Sequence, residues 1–84
     1  MYRLEVNHTA HPDLSGLSAQ TQERVNRAIE RLAQNPRPPD NKKLTAREGY
    51  KIRVGDYRIL YQIDDGAKVV VIYRVMPRGD VYRV

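Results

Sequence analysis

The basic residues between Tyr50 and Ile63 are placed symmetrically about Gly55-Asp56, with Lys51 and Arg53 before the pair and Arg58 after it. Gly-Asp has the composition of a two-residue hairpin loop. Such a loop sets Val54 opposite Tyr57, then Arg53 opposite Arg58, Ile52 opposite Ile59, Lys51 opposite Leu60 and Tyr50 opposite Tyr61. Directly opposed residues share a face of the sheet. One face therefore collects Tyr50, Ile52, Val54, Tyr57, Ile59 and Tyr61, and the other collects Lys51, Arg53 and Arg58 beside Leu60. Opposed like charges cost ~0.2–1 kcal/mol per pair, and alternating signs would serve solubility equally well. A local rule broken in this way marks a candidate functional face. A fixed cluster of guanidinium and ammonium groups can hold phosphate and stabilise charge developing on a phosphorane-like transition state. In the competing reading, Arg53 and Arg58 splay apart and pair with Glu48, Asp56 or Asp64. Further along, Arg78 precedes Tyr82, whose ring could stack on a base, donate a phenolic proton or anchor the tail on the sheet edge.

The elements that must position these groups read as an α+β fold. Tyr2, Leu4 and Val6 alternate with Arg3 and Glu5, which predicts a half-buried strand. Thr9–Gly16 predicts a short helix, with Pro12 in its first turn. Ser18 is a good N-cap for a second helix. Its apolar stripe is Val25, Ile29 and Leu32, flanked by Ala28 and Ala33. Asn35-Pro36 ends it, and Arg37-Pro38-Pro39-Asp40 is a loop. The two helices are expected as an antiparallel hairpin lying on a sheet. Tyr50–Val54, Tyr57–Ile63 and Lys68–Met76 then predict three strands. The order is β-α-α-β-β-β, with an antiparallel sheet of three to four strands in a single domain spanning 1–84. For the last strand, a three-residue loop with Gly66 in the left-handed position places Val69, Val71 and Tyr73 in the core. It places Lys68 and Arg74 on the cationic face. A two-residue loop reverses that assignment.

Composition narrows the function. The net charge is +5, and residues 1–41 balance at five basic and five acidic, so the whole excess lies in residues 42–84. A one-sided basic excess suits an anionic partner such as nucleic acid or an acidic protein segment. Cysteine is absent, which excludes disulfides and thiolate metal sites and fits a reducing, cytoplasmic compartment. No apolar run is long enough to span a bilayer, and the N-terminus lacks a signal-peptide core. His8 and His11 stand far in sequence from the basic cluster. The carboxylates lack metal-ligand spacing, and Asp64-Asp65 reads as a turn, so neither a metal nor a cofactor is expected.

The stretch Tyr50–Ile63 resembles the central hairpin of RelE/ParE-superfamily toxins from type II toxin–antitoxin modules. Val69-Val70-Val71-Ile72-Tyr73-Arg74-Val75, the tail Arg78-Gly79-Asp80-Val81-Tyr82 and the loop from Asn35-Pro36 to Lys42-Lys43-Leu44 extend the likeness over nearly the whole chain. The resemblance implies a ribosome-dependent, metal-independent messenger endoribonuclease that blocks translation. It assigns catalysis to Lys51, Arg53, Arg58, Arg78 and Tyr82, with Lys42, Lys43 and Arg74 as substrate-binding cations. The implied reaction is attack of a ribose 2′-hydroxyl on the adjacent phosphate. Lys51 can be the base there only if Arg53 and Arg58 disfavour its charged form. The implied partners are messenger, ribosome and an antitoxin with an acidic, partly disordered segment, the toxin being otherwise monomeric. Met76-Pro77-Arg78 stands where many relatives carry a small residue followed by His-Arg. ParE-type relatives poison DNA gyrase without nuclease activity, and a weakened homologue that mainly binds its antitoxin is a third reading.

Overall fold

The computed structural model describes residues 1–45 and 48–77. Its elements are β1 (Arg3–Val6), a 3-10 turn (His8–Ala10), α1 (His11–Ser15), α2 (Ala19–Gln34), β2 (Lys42–Lys43), β3 (Tyr50–Val54), β4 (Tyr57–Asp64) and β5 (Val69–Pro77). The strands form one sheet in the order β1-β5-β4-β3-β2. Neighbours are antiparallel except β1, which runs parallel to β5 from Arg3 opposite Val69 to Val6 opposite Ile72. The expected α+β order is present. The sheet is wider than patterning suggested, because β1 joins it and the two-residue β2 is too short to leave a periodic signal.

Ser18 caps α2 as its side-chain chemistry demands, its Oγ accepting the Thr21 amide at 3.2 Å. Val25, Ile29, Leu32 and Ala33 then face inward at helical spacing. Val25, Ile29 and Leu32 meet Ile52, Ile59, Tyr61, Val70, Ile72 and Val75 from the sheet, with Leu14 and Leu17 packed at the margin. The Tyr61 ring is fully buried. Its hydroxyl donates to the Pro36 carbonyl at 2.7 Å and accepts from Asn41 Nδ2 at 3.2 Å. The α2–β2 loop is thereby tied to the core, and the polar end of the ring is satisfied inside.

The β3–β4 hairpin has the expected register throughout, from Val54 opposite Tyr57 to Tyr50 opposite Tyr61. Gly55 sits at φ +58°, the left-handed conformation such loops demand. A Cβ there would also meet both Nη atoms of Arg24 at 3.2 Å. Gly55→Ala is expected to destabilise the fold by about 1–2 kcal/mol, seen as a lower urea midpoint with an unchanged slope.

The β5 expectation is corrected. Asp64 stands opposite Val69, so the connection has four residues, and the left-handed residue is Lys68 (φ 59°), not Gly66. Asp64 Oδ1 accepts the Ala67 amide at 2.9 Å, which stabilises this longer turn. Val70 and Ile72 therefore join the helix-covered core in place of Val71 and Tyr73, while Val69 is buried at 7% exposure but lies outside that cluster. A register shift between Leu60 and Tyr61 then inserts a residue, which puts Val75 in the core and Arg74 opposite Leu60. The shift falls where β1 ends. Beyond it, the free edge of β5 is satisfied by the preceding segment: Thr9 Oγ1 donates to the Tyr73 carbonyl at 2.6 Å, and Asp13 Oδ2 accepts the Val75 amide at 2.9 Å. Lys68 is not on the cationic face, and its ammonium lies 5.0 Å from the centre of the Tyr2 ring.

One polar clamp closes the end of the sheet. Arg37 holds Asp65 through both guanidinium nitrogens at 3.2 and 2.9 Å, and the Tyr2 hydroxyl donates to the same carboxylate at 2.5 Å. Arg37 also lies over the Tyr50 ring at 5.4 Å. Hydrogen bonds from Arg37 first, then from Tyr2, hold the Asp65 carboxyl down at about 2. Because its folded value is depressed, the stability it contributes is present above the ordinary carboxylate range near ~4 and is lost as pH falls toward ~2. Between those limits the wild type should lose thermal stability more steeply than Asp65→Asn. The clamp is exposed, so the difference is small and shrinks with added salt. Equal slopes for the two proteins would show that the clamp contributes nothing.

Candidate functional site

The helices cover one face of the sheet and leave the other to the basic residues. Two cross-strand rows run over that face. Lys42 stands opposite Lys51, which stands opposite Leu60, which stands opposite Arg74; beside them Arg53 stands opposite Arg58, and Arg58 opposite Met76. Thus β2 adds a second like-charged pair, Lys42 with Lys51, to the Arg53–Arg58 pair read from the hairpin. Each opposition disfavours the fold by ~0.2–1 kcal/mol. Lys42, Lys51, Arg53 and Arg58 line a shallow concavity of about 280 Å³ together with Ile52 and one carboxylate, Asp40.

Neither arginine of the central pair finds the acidic partners weighed above. Among the described residues, the ion pairs are Arg3–Glu5, Arg27–Glu23, Arg37–Asp65 and Arg74–Asp13. Arg53 makes a long contact from Nε to its own hairpin, the Gly55 carbonyl at 3.4 Å. Arg58 is half-buried, and its Nε is shielded from solvent with no hydrogen-bond partner among the described residues. A buried donor left unsatisfied costs roughly 1–3 kcal/mol, a cost that a ligand oxygen would remove.

The other expected residues divide. Lys42 joins the cluster. Lys43 stands opposite Tyr50, so it belongs to the opposite face of the sheet and is not brought to the site. Arg74 reaches the site face through the irregularity in β5, and its Nε donates to Asp13 Oδ2 at 2.8 Å. Its guanidinium is therefore held toward the β5 edge. Arg78 and Tyr82 lie outside the described residues. Sequence reasoning missed Asp13, which fixes both Arg74 and the Val75 amide. It also missed Met76, which is 7% exposed beside Leu60 at 2%. These two give the cationic face an apolar flank. For Met76 the signal was its place two residues beyond Arg74, legible only once the β5 register is known.

The family described as the ParE toxin of type II toxin–antitoxin systems, parDE, matches residues 4–82. The chain belongs to this toxin family. It is also similar to solved RelE structures. For a chain of the Mycobacterium tuberculosis toxin–antitoxin complex RelBE2, identity is 34% and the TM-score 0.81, over 92% of this chain and 98% of that one. For a chain of the archaeal RelE–RelB complex from Pyrococcus horikoshii, identity is 28% and the TM-score 0.83, over 93% and 96%. The isolated Escherichia coli RelE toxin gives 26% and 0.80, over 99% and 93%. A 34-residue segment is 53% identical to toxin RelG of Mycobacterium tuberculosis, covering 40% of this chain and 39% of that toxin. The RelE/ParE fold is thus common to the ParE-family toxin described here and to toxins named RelE. No helix among its described residues is long and apolar enough to cross a membrane.

Proposed function

We propose that this toxin is a ribosome-dependent endoribonuclease that cuts messenger RNA with its own cationic side chains. One observation carries the reading. Four cations in two like-charged opposed pairs share one concavity, and the central guanidinium has a buried, unsatisfied N–H. That arrangement is unfavourable when empty and is relieved by a phosphate. The likeness to isolated RelE supports the same direction.

The proposed step is an in-line attack. Lys51, the candidate base, takes the proton of a ribose 2′-hydroxyl. The freed oxygen bonds to the adjacent phosphorus, and the bond to the 5′-oxygen of the next nucleotide breaks. That oxygen takes a proton from solvent water as it leaves as a 5′-hydroxyl, and a 2′,3′-cyclic phosphate remains. Arg53 and Arg58 stabilise the charge on the pentavalent intermediate state. Arg78 is assigned to the leaving side and Tyr82 to stacking on the substrate base. A Lys51→Ala toxin with full activity would remove Lys51 from the role of base. The proposed partner is an antitoxin with an acidic, partly disordered segment, in keeping with similar chains solved in toxin–antitoxin complexes.

The match to ParE toxins favours a second reading, a gyrase-directed inhibitor that works by binding. One experiment separates the two. The purified toxin is added to a cell-free translation reaction and, in parallel, to a gyrase supercoiling reaction. New messenger 5′ ends inside translated codons, mapped by primer extension, support the ribonuclease. Intact messenger with gyrase-linked DNA breaks supports the inhibitor.

A further inference from the structure

A second basic concavity, of about 400 Å³, lies around the edge of β3 from the first. Its walls are α2, through Arg24, Arg27 and Arg31, and β3, through Arg53. Arg53, Ile52 and Asp40 line both concavities. β2 pairs only with Tyr50 and Lys51, so no described strand stands between the two beyond that point. Arg24 and Arg53 approach each other at the hairpin tip. The Arg24 guanidinium packs against Gly55, whose carbonyl faces Arg53 Nε at 3.4 Å. Arg24 and Arg31 are exposed and seven residues apart, which places them ~10 Å from one another along the helix. Neither they nor Arg53 pair with a carboxylate among the described residues, while Arg27 is tied to Glu23.

We propose that this groove takes the sugar-phosphate backbone of the RNA strand flanking the cut, with Arg53 bridging the flanking phosphates and the reacting one. The inference rests on the ribonuclease reading and extends it to a second binding segment. All four basic side chains of the groove are arginine, whose planar fork suits phosphate oxygens and whose face stacks on bases. An amphipathic acidic peptide fits less well. At the floor of the groove Leu32 and Ile52 are already 1% and 5% exposed, so apolar anchors would find only the partly exposed Ala28, Pro38 and Val54 to cover. A polyanion that meets the guanidinium rim needs no apolar area.

The test uses the whole toxin and a fluorescein-labelled 15-nucleotide 2′-O-methyl RNA, which cannot be cut, followed by anisotropy across a salt series. Arg24→Gln with Arg31→Gln is expected to raise Kd about tenfold. It should flatten the dependence of log Kd on log salt by about 1.4, the value for two lost single-strand phosphate contacts. Arg24→Lys with Arg31→Lys should keep most of the slope. An unchanged Kd and slope in the glutamine variant overturns the proposal. So does an equal loss in the lysine variant, which would trace the effect to packing of Arg24 on Gly55. Failure of the wild type to bind also overturns it. Displacement by poly-L-glutamate as readily as by unlabelled RNA overturns it in favour of an acidic peptide. Cutting in translation reactions is scored separately. A toxin that cuts messenger but binds RNA independently of Arg24 and Arg31 refutes the groove alone. One that binds through them and cuts nothing refutes the ribonuclease reading alone.

Discussion

Arg58→Ala is expected to slow messenger cutting by about 10²–10³-fold, the usual effect of removing one fixed donor aimed at transition-state charge. The same change should leave the fold as stable as the wild type or slightly more stable. Arg58 is half-buried opposite Arg53, and its Nε has no partner among the described residues. Removing it relieves a like-charge opposition and an unsatisfied donor. A thermal midpoint that holds or rises while the cutting rate collapses would separate a catalytic role from a structural one. A rate loss accompanied by a fall in midpoint would place Arg58 among the residues that hold the sheet together. Arg58→Lys should recover only part of the rate, because an ammonium cannot present two parallel donors to a phosphate.

One residue further on, the balance reverses. Ile59 is fully buried between Ile52 and Val75 in the core beneath α2. Ile59→Ala removes three carbons from a site enclosed by sheet and helix, and such truncations cost about 2–5 kcal/mol. A domain of this size has ~4–13 kcal/mol in total, at roughly 0.05–0.15 kcal/mol per residue. The variant should therefore melt roughly 10 °C or more below the wild type, at ~4–8 °C per kcal/mol. Whatever fraction stays folded should keep the wild-type cutting rate, since the side chain points away from the cations. Adjacent residues on one strand thus serve opposite faces, one the helix-covered core and one the cationic concavity. A melting temperature within 2 °C of the wild type would contradict the assignment of Ile59 to the load of the core.

How far the sequence reveals this depends on how local the determinants are. The β3–β4 hairpin was legible residue by residue, because Gly55-Asp56 sets a two-residue loop and the loop sets every opposition. Lys51, Arg53 and Arg58 were found together for that reason. Helix α2 was legible from its cap and stripe. The β5 register was not, because it depends on a four-residue connection with Lys68 in the left-handed position, and Gly66 is the more obvious residue for that role. The shift near Tyr73 depends on a distant event, the end of β1 and the arrival of Asp13 at the same edge. The separation of Lys42 from Lys43 needed the pairing of a strand too short to show a period. The arginine groove needed α2 and β3 side by side, a contact between segments more than twenty residues apart.

Whether the cationic sheet face directs a 2′-hydroxyl onto its neighbouring phosphate, as proposed above, turns on one atom of the substrate. Once a cut is mapped in a translated messenger, a second messenger is prepared with a single 2′-deoxynucleotide on the 5′ side of that bond. Both are presented to the toxin in programmed ribosomes. The all-ribose messenger is expected to be cut to a 2′,3′-cyclic phosphate and a 5′-hydroxyl, while the deoxy-substituted messenger stays intact at that bond. Equal cutting of the two would contradict the proposed attack, because the attacking oxygen would then come from water and not from the ribose.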